Sequence, residues 1–285
     1  MTDPMAADVK LSKRLTAIAE MVGADRNGGR NQKEAYCLCD VGTDHAHIPI
    51  RLLIDGRIDR AIAMDVIEGP LEKARENIAL YGVTDRVALR LSDGLDAYKI
   101  GEARGLVIAG MGGRIMSRIL LREPEKTLDF EELILQPQAD PEFVRRAIRE
   151  LGLFIDREKI VLEDNKYYPV MHVTKKHAEG PDWRSDHEGE EPDTARVMQL
   201  RQEAEDLFGP VLIRERDSML RSYLLWQKGV NDRIRHSLLR ANDPAEKAVT
   251  AKRQQVERRD QLIRAALAYF DKGAENETER DHTDA

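Results

Sequence analysis

The chain has 285 residues with a formal net charge of −7, and its composition is 41% hydrophobic and 34% charged. A chain of this length can bury a sizeable core, as one large domain or as a medium domain with an appendage. No run approaches the ~18 consecutive apolar residues of a membrane-spanning helix, and the opening MTDPMAADVKLSKRL lacks the apolar segment of a secretory signal. We therefore expect a cytoplasmic globular protein with no membrane partner.

The charge is unevenly distributed along the chain. Residues 176–194 contain 7 acidic and 2 basic side chains, whereas residues 195–270 contain 15 basic and 10 acidic ones. A basic segment inside an acidic protein is a candidate surface for a polyanion such as RNA. A solvated helical face gives the same pattern, so charge alone leaves both interpretations open.

Short apolar runs alternate with helical patterns between residues 10 and 175. KLSKRLTAIAEMV predicts an amphipathic opening helix, and the segments AYCLCDV, RAIAMDV, RVALRL, RGLVIAG and EELILQP predict strands with helical patterns between most of them. Continuous apolar strands indicate burial on both faces of the sheet. We therefore predict an α/β fold with a parallel, doubly wound sheet.

The last two strands of this region form a different pattern. LFIDREKIVLED and KYYPVMHVTKK are separated by a polar turn and have no helix between them. An antiparallel hairpin at the end of a parallel sheet is typical of class I methyltransferases, whereas plain Rossmann dehydrogenases keep alternating. We predict a class I methyltransferase fold, Rossmann-like and ending in an antiparallel hairpin.

Composition and periodicity divide the chain into four regions. We assign 1–178 to a catalytic domain with an N-terminal helix, 179–194 to an acidic linker, 195–270 to a helical hairpin and 271–285 to a disordered tail. Apolar residues recur at spacings of three and four in 208–240 and again in 245–270, which predicts two long antiparallel helices in a coiled-coil-like hairpin.

The two cysteines give no sign of a metal site. Cys37 and Cys39 lie two residues apart in one predicted strand, so both side chains point to the same face. The chain has no second cysteine pair to complete a zinc site, and neighbouring positions on one face do not easily form an unstrained disulfide. We expect both thiols to pack in the core and no metal to bind.

Acidic residues end three neighbouring strands. Asp40 and Gly42 follow the first strand, Asp65 ends the second, and Asp93 with Gly94 follows the third. In open parallel sheets, ligands bind beyond the carboxyl ends of the strands. Asp65 lies 25 residues beyond Asp40, which suits a carboxylate that binds the ribose hydroxyls of an adenosine-containing ligand. Helix caps and turns also favour aspartate, which is the structural alternative.

The loop after the first strand, DVGTDHAHI, distinguishes between such ligands. Asp44 stands where a dinucleotide-binding loop usually has a second glycine, and its charge would repel a pyrophosphate. S-adenosylmethionine has no phosphate and carries a positive sulfonium, which a carboxylate attracts. The loop therefore favours S-adenosylmethionine over NAD.

Several motifs together resemble one family. LSKRL, DVGTDHAHIP, AMDVIEGPLEKARENI, LSDGL, AGMGG, LILQP and EDNKYY occur in this order. They resemble the bacterial TrmK family, the tRNA (adenine-22-N1)-methyltransferases, and the FGP segment followed by long helices is similar to that family's C-terminal region. The resemblance implies S-adenosylmethionine as cofactor, tRNA as partner and methylation of adenine N1.

The resemblance also implies roles for individual residues. It places cofactor-binding residues at the strand ends and places Gly110 and Met111 behind the transferring methyl group. It places Arg14, Asp44 and His45 towards the target base. The predicted cofactor residues are Asp40, Gly42, Asp65, Val66, Asp93, Gly94 and Gly110; the predicted catalytic residues are Asp44, His45 and Met111; the predicted substrate residues are Lys13, Arg14, Gln136, Asn165 and Tyr167.

Asp44 has the clearest expected chemistry. Adenine N1 has its own lone pair, so methyl transfer needs alignment more than deprotonation, and the methylated ring is a cation that a carboxylate stabilises. We expect Asp44 to accept a hydrogen bond from the exocyclic amine. His45 and His47 have a structural alternative, at the start of a helix or packed beneath the loop. A turn asparagine and core tyrosines are the alternative for Asn165 and Tyr167.

Three functional hypotheses follow. The first is a tRNA adenine-N1 methyltransferase that is a monomer or weak dimer. The second is a methyltransferase of the same fold that acts on a small molecule or a protein. The third is an RNA-binding module whose cofactor site is vestigial, which the intact acidic strand ends disfavour.

Overall fold

The computed structural model describes residues 9–23, 35–175, 194–240 and 247–280. The chain divides into two compact units, Met1–Ala178 and Glu179–Ala285. The predicted acidic linker 179–194 lies, except for its last residue, outside the described residues.

The first unit contains a seven-stranded sheet with helices between most of the strands. The strands are β1 (Cys37–Val41), β2 (Arg60–Asp65), β3 (Val87–Leu91), β4 (Gly105–Gly112), β5 (Glu132–Ala139), β6 (Phe154–Glu163) and β7 (Lys166–Thr174). The helices are α1 (Lys13–Met21), α2 (His47–Ile54), α3 (Glu68–Leu80), α4 (Gly113–Arg122), α5 (Pro124–Thr127) and α6 (Pro141–Glu150), with single 3-10 turns at Asp44–Ala46 and Thr84–Arg86.

The strand order of the sheet is β3-β2-β1-β4-β5-β7-β6. The first five strands pair in parallel, and β7 pairs antiparallel with both β5 and β6. The order reverses between β1 and β4, so the loops after these strands diverge and leave a crevice at their carboxyl ends. The predicted parallel sheet with a terminal antiparallel hairpin is confirmed.

Each face of the sheet has its own hydrophobic core. On one face the strands pack against apolar side chains of α1, α2 and α3, including the fully buried Ile18 and Ile50. On the other they pack against α4 and α6, including Met116 and Val144. Cys39 is buried in this second core and Cys37 packs against it, which places the two thiols on one face as predicted.

A buried polar network joins the amino ends of the strands. Glu132, the first residue of β5, accepts hydrogen bonds from the hydroxyl of Tyr36 and from the backbone amide of Gly23 at 2.8 Å. Its other oxygen lies 2.7 Å from Nε2 of His172 on β7. The network therefore ties the end of α1 and the start of β1 to the centre of the sheet.

His172 lies between two carboxylates. Its Nδ1 is 2.5 Å from Asp156, and Arg157 approaches its Nε2 at 3.0 Å. Burial disfavours the charged ring, but the hydrogen bonds to Asp156 and Glu132 outweigh burial and raise the pKa of His172 to about 9. The ring is therefore an imidazolium at neutral pH, despite the nearby guanidinium.

The second unit consists of helices α7 (Thr194–Phe208), α8 (Pro210–Arg214), α9 (Ser218–Leu239) and α10 (Lys247–Arg280). One sequence prediction here was wrong. The helix predicted over 208–240 is interrupted, because Gly209 (φ 108°) and Arg216 (φ 52°) take conformations that no α-helix contains. Helix α10 extends to Arg280, and the disorder expected over 271–285 stays a prediction.

The long helices α9 and α10 pack against each other, and a polar contact fixes their alignment. Asn231 is 5% exposed and donates to Asp260 at 2.7 Å. Arg235 forms an ion pair with the second oxygen of the same carboxylate. Such a buried polar pair favours one register of two helices over slipped alternatives.

In the described part of the chain, no helix is long and apolar enough to cross a membrane.

Replacing His172 with glutamine should lower the free energy of unfolding at pH 7 by about 3–5 kcal/mol, because two buried carboxylates lose their imidazolium. The pKa of the folded protein, about 9, exceeds the ordinary value of 6.5. The stabilisation is therefore complete below pH 6.5 and disappears as the pH rises through 9. Urea unfolding from about pH 6 to about pH 10 measures this, with the exposed His236→Gln as control; a constant difference between wild type and variant would contradict it.

Candidate active site

The candidate site lies where β1, β2, β4 and β5 end. The pairing registers put Val41 beside Met64 and Ala109 beside Gln136, so the loops that follow these strands share one edge of the sheet. This edge holds the crevice at which ligands bind in open parallel sheets.

The loop after β1 folds back over the end of β2. The amides of Gly42 and Thr43 both donate to the carbonyl oxygen of Met64, at 2.8 and 3.0 Å. Gly42 has a φ of 73°, and a Cβ there would lie 2.9 Å from Cε of Met111. Glycine at 42 thus allows both the turn and the approach of Met111, which brings two predicted site residues together.

Asp40 is buried at the base of this loop. It is 3% exposed, and the hydroxyl of Thr43 donates to its carboxylate at 2.6 Å. Burial raises the pKa of Asp40 to about 7; the Thr43 hydrogen bond opposes this, and the charges of Asp65 and Asp44 add to it. A positively charged group nearby would favour the ionised form of Asp40.

Asp65 ends β2 beside two exposed apolar residues. Its Oδ1 accepts a hydrogen bond from the amide of Ile67 at 3.0 Å. Among the described residues, no group donates a hydrogen bond to the other oxygen, Oδ2. Val66 and Ile67 are 59% and 61% exposed. A carboxylate with an available oxygen beside an apolar surface suits a ligand with paired hydroxyls and a flat apolar ring.

Asp93 has a partner that the sequence did not predict. Its Oδ2 lies 2.8 Å from Nη1 of Arg122, which also contacts Asp96 at 2.5 Å. Gly94 has a φ of 62°, and a Cβ there would meet Ile119 at 3.0 Å. The glycine therefore admits α4 close to the loop, and Arg122 neutralises part of the acidic edge.

The AGMGG segment ends β4 and begins α4. Gly110 has a φ of 78°, and a Cβ there would lie 3.5 Å from Nη1 of Arg14. A Cβ at Gly113 would lie 2.1 Å from the carbonyl oxygen of Asp140, whereas one at Gly112 would meet nothing within 4 Å. Two of these glycines are therefore required by backbone conformation or contact, and Gly112 is not.

Arg14 extends from α1 towards Gly110. Its Nη1 donates to Oε1 of Gln136 at 2.7 Å, its Nε lies 3.9 Å from Glu163, and its guanidinium lies 5.4 Å from the centre of the Tyr168 ring. Gln136 is fully buried, so the structure places it beneath Arg14. Arg14 thus occupies a fixed position at the edge of the crevice, and its role towards a target base stays a prediction.

The remaining predicted residues are more exposed. The side chain of Asp44 is 79% exposed and lies 3.2 Å from Nε2 of His45. The imidazole rings of His45 and His47 stack at 5.6 Å, and burial, followed by the charge of His45, lowers the pKa of His47. Lys13 is exposed at the start of α1.

Asn165 and Tyr167 lie on the β6–β7 hairpin. Asn165 is exposed in the turn between the strands, with a φ of 57°, which is typical of asparagine in tight hairpins. Tyr167 is half-buried, and the next residue, Tyr168, is the one that Arg14 contacts. The roles of Asn165 and Tyr167 towards a substrate stay predictions.

Sequence reasoning missed three residues that build the site. Thr43 binds Asp40, Arg122 binds Asp93, and Asn77 donates to the carbonyl oxygen of His45 at 3.0 Å. Of these three residues, only Thr43 is close in sequence to its partner. The local sequence pattern could therefore have indicated that contact but not the other two.

Within the described ranges, no group of three His, Cys, Asp or Glu side chains is arranged to hold a metal ion.

A family model described as a methyltransferase domain matches residues 11–171, which includes strands β1 to β6, most of β7 and the residues of the crevice. The chain belongs to the methyltransferase-domain family. The match confirms the class I methyltransferase fold predicted from the strand pattern.

Relatives of this methyltransferase domain carry more specific names. The chain is 33% identical, over 164 residues, to the tRNA (adenine(22)-N(1))-methyltransferase of Bacillus subtilis; the match covers 58% of this chain and 65% of that protein, less than two thirds of its length. The crystal structure of the B. subtilis m1A22 tRNA methyltransferase TrmK has a TM-score of 0.70 and 25% identity, and covers 91% of this chain and all of that one.

A second solved structure is that of Streptococcus pneumoniae Sp1610 in complex with S-adenosyl-L-methionine. Its TM-score is 0.68 and its identity 27%, with 90% of this chain and all of that chain covered. These likenesses confirm the resemblance to the TrmK family that the sequence motifs indicate.

Replacing Gly113 with alanine should destabilise the methyltransferase domain by about 3 kcal/mol, the upper end of the range for overpacking, because the new Cβ overlaps the backbone at Asp140. The neighbouring Gly112→Ala is the matched control and should change stability little, since nothing lies within 4 Å of its Cβ. Thermal unfolding measures both variants. Equal midpoints for the two would contradict the close contact.

Proposed function

We propose that this protein is an S-adenosylmethionine-dependent methyltransferase that methylates N1 of an adenine in tRNA, at position 22. One observation carries the proposal: the acidic, phosphate-repelling loop of Asp40, Gly42 and Asp44 lies beside the Gly110–Met111 turn at the crevice of a class I methyltransferase sheet. The sequence and structural likeness to TrmK proteins supports the choice of acceptor.

The residues of the crevice fit the cofactor. Asp40, Asp44, Asp65 and Asp93 place carboxylates along one edge, where they attract a ligand with a positive sulfonium and ammonium. Asp65 has an oxygen available for ribose hydroxyls, with the exposed Val66 next to it. Gly42 and Gly110 have positive φ values and carry no side chain to obstruct a close ligand.

The cofactor, when bound, supplies a methyl group that moves from sulfur to the N1 lone pair, and the positive charge passes from the sulfonium to the adenine ring. No proton has to leave N1, so this chain needs no general base at that atom. Its task is to hold the base in line and to stabilise the cation.

Asp44 suits the second task. Its carboxylate is exposed at the crevice edge and can accept a hydrogen bond from the exocyclic amine of adenine. With the base held there, the positive charge of the methylated ring would develop close to this carboxylate. Asp44 thereby favours the product cation over the neutral base.

The acceptor base has to leave its helix. N1 lies on the Watson–Crick edge, so a paired adenine cannot react, and the enzyme has to take the base out of its pair and its stack. Arg14 and the half-buried Tyr168 offer a cation and an aromatic face at the edge of the crevice for such a base or its phosphate. We infer that the basic 195–270 region adds phosphate contacts that do not read sequence.

The decisive experiment incubates the protein with labelled S-adenosylmethionine and bulk bacterial tRNA and identifies the methylated nucleoside by mass spectrometry. We expect 1-methyladenosine, and none in a transcript whose adenine 22 is replaced by guanine. Tight binding of the cofactor without label in tRNA would contradict the proposed acceptor and favour a small-molecule or protein substrate.

Asp65→Ala should weaken the affinity for S-adenosylmethionine at least tenfold, because the ribose hydroxyls lose a charged acceptor. Isothermal titration calorimetry measures the dissociation constant. Asp85→Ala, an exposed aspartate before β3 at the opposite end of the sheet, is the control and should leave the constant unchanged. If the two variants bind alike, Asp65 does not bind the ribose.

Asp44→Asn should depress single-turnover methylation of tRNA by about 10-fold to 100-fold and leave cofactor affinity within a few-fold, because the amide keeps the shape but loses the charge that stabilises the cation. Rapid-quench kinetics with excess enzyme measures the rate. Full activity in this variant would exclude the proposed role of Asp44.

A further inference from the structure

The turn between β1 and α2 has an unusual backbone. Asp44, His45 and Ala46 have φ values of 25°, 68° and 59°. These three consecutive residues lie in the left-handed region, which side chains with a Cβ rarely adopt and which glycine adopts freely. A sequence of glycines would form the same turn without strain, yet none of the three is glycine.

One side chain from elsewhere in the fold holds this turn. Asn77, in the last part of α3, donates from Nδ2 to the carbonyl oxygen of His45 at 3.0 Å. Within the turn, the amide of Ala46 donates to the carbonyl oxygen of Thr43 at 3.0 Å. Among the described residues, no other side chain hydrogen-bonds to the backbone of Asp44–Ala46, so Asn77 is its external anchor.

The polar side chains of this turn are exposed to solvent and do not pack in the core. Asp44 and His45 are 79% and 43% exposed, while the side chain of Ala46 between them and α2 is fully buried. Strained backbone that displays polar side chains next to a ligand crevice is characteristic of functional sites. A turn whose only role was to start α2 would not need to expose Asp44 and His45.

We propose that Asn77 is a positioning residue for methyl transfer: by holding the His45 carbonyl, it keeps the left-handed turn that presents Asp44 and His45 to the target base. This inference rests on the proposed function. Asn77 is half-buried in α3 behind the turn, so it acts through the backbone of the turn and not by contact with the base.

The first test compares three variants of the full-length protein. Asn77→Ala removes the side chain, and Asn77→Asp keeps its size but replaces the donor with an acceptor that the carbonyl oxygen repels. Glu76→Ala is the matched control, since Glu76 is exposed on the same helix and its described partner is the surface residue Lys73.

Both Asn77 variants should lower kcat for tRNA methylation at least tenfold, with KM for tRNA and the dissociation constant of S-adenosylmethionine changed less than threefold. Glu76→Ala should behave as wild type. Wild-type kcat in Asn77→Asp would overturn the proposal even if Asn77→Ala is slow, because packing alone would then explain the alanine variant. A parallel loss of cofactor binding in both Asn77 variants would also overturn it.

The second test does not depend on the reaction. His45→Gly should raise the melting temperature by about 2–4 °C, because glycine adopts the left-handed conformation without strain. His47→Gly is the matched control and should lower it, because residue 47 is the first of α2, with a right-handed φ of −61°, where glycine is unfavourable. A lower melting temperature for His45→Gly would show that the turn is not strained and would overturn the proposal.

Spectroscopy of the imidazoles connects the two tests. The rings of His45 and His47 stack at 5.6 Å, so release of the turn should shift the imidazole proton resonances of both in Asn77→Asp. Unchanged resonances would overturn the anchoring role. If the wild type forms no 1-methyladenosine, the proposed function fails, while the melting temperatures and resonances still report whether Asn77 anchors the turn.

Discussion

Two hydrogen bonds to one carbonyl oxygen organise the candidate site. The amides of Gly42 and Thr43 both donate to Met64, and this fastens the loop after β1 across the end of β2. The loop then passes above Asp40, leaves room for Met111 and turns left-handed at Asp44. The hydrogen bond from Thr43 to Asp40 and the approach of Met111 to Gly42 both depend on that reversal of the chain, because it brings the loop back over the strand ends.

The acidic edge that results selects its ligand by charge. Carboxylates lie at the ends of three neighbouring strands, and Arg122 pairs with the carboxylate of Asp93 at the third of them. Asp40 and Asp65 therefore keep an electrostatic preference for a positive ligand. Under the proposed function, the same preference extends to the product, since methylation at N1 would turn a neutral base into a cation. One set of charges would then favour both the cofactor and the product, without a separate acid or base.

Local sequence predicted the parts of this site that depend on strand ends. Continuous apolar runs predicted the strands, and their carboxyl ends hold Asp40, Gly42 and Asp65, which an open parallel sheet brings to one edge. The contacts of Asn77 with His45 and of Arg14 with Gln136 join residues that are 32 and 122 positions apart. The periodicity of apolar residues in the sequence therefore cannot predict these contacts. The interruption after Phe208 was missed for another reason: the apolar spacing that predicted the helix begins at Met219, so it gave no information on Gly209 and Arg216, where the backbone is not helical.

The polar network of Glu132 and His172 lies at the opposite end of the strands from the crevice. Efforts to make the protein more heat-resistant can therefore target this end of the sheet without altering residues near the ligand. The same separation means that a melting curve alone does not report a variant's catalytic competence, since side chains far from the crevice also contribute to stability.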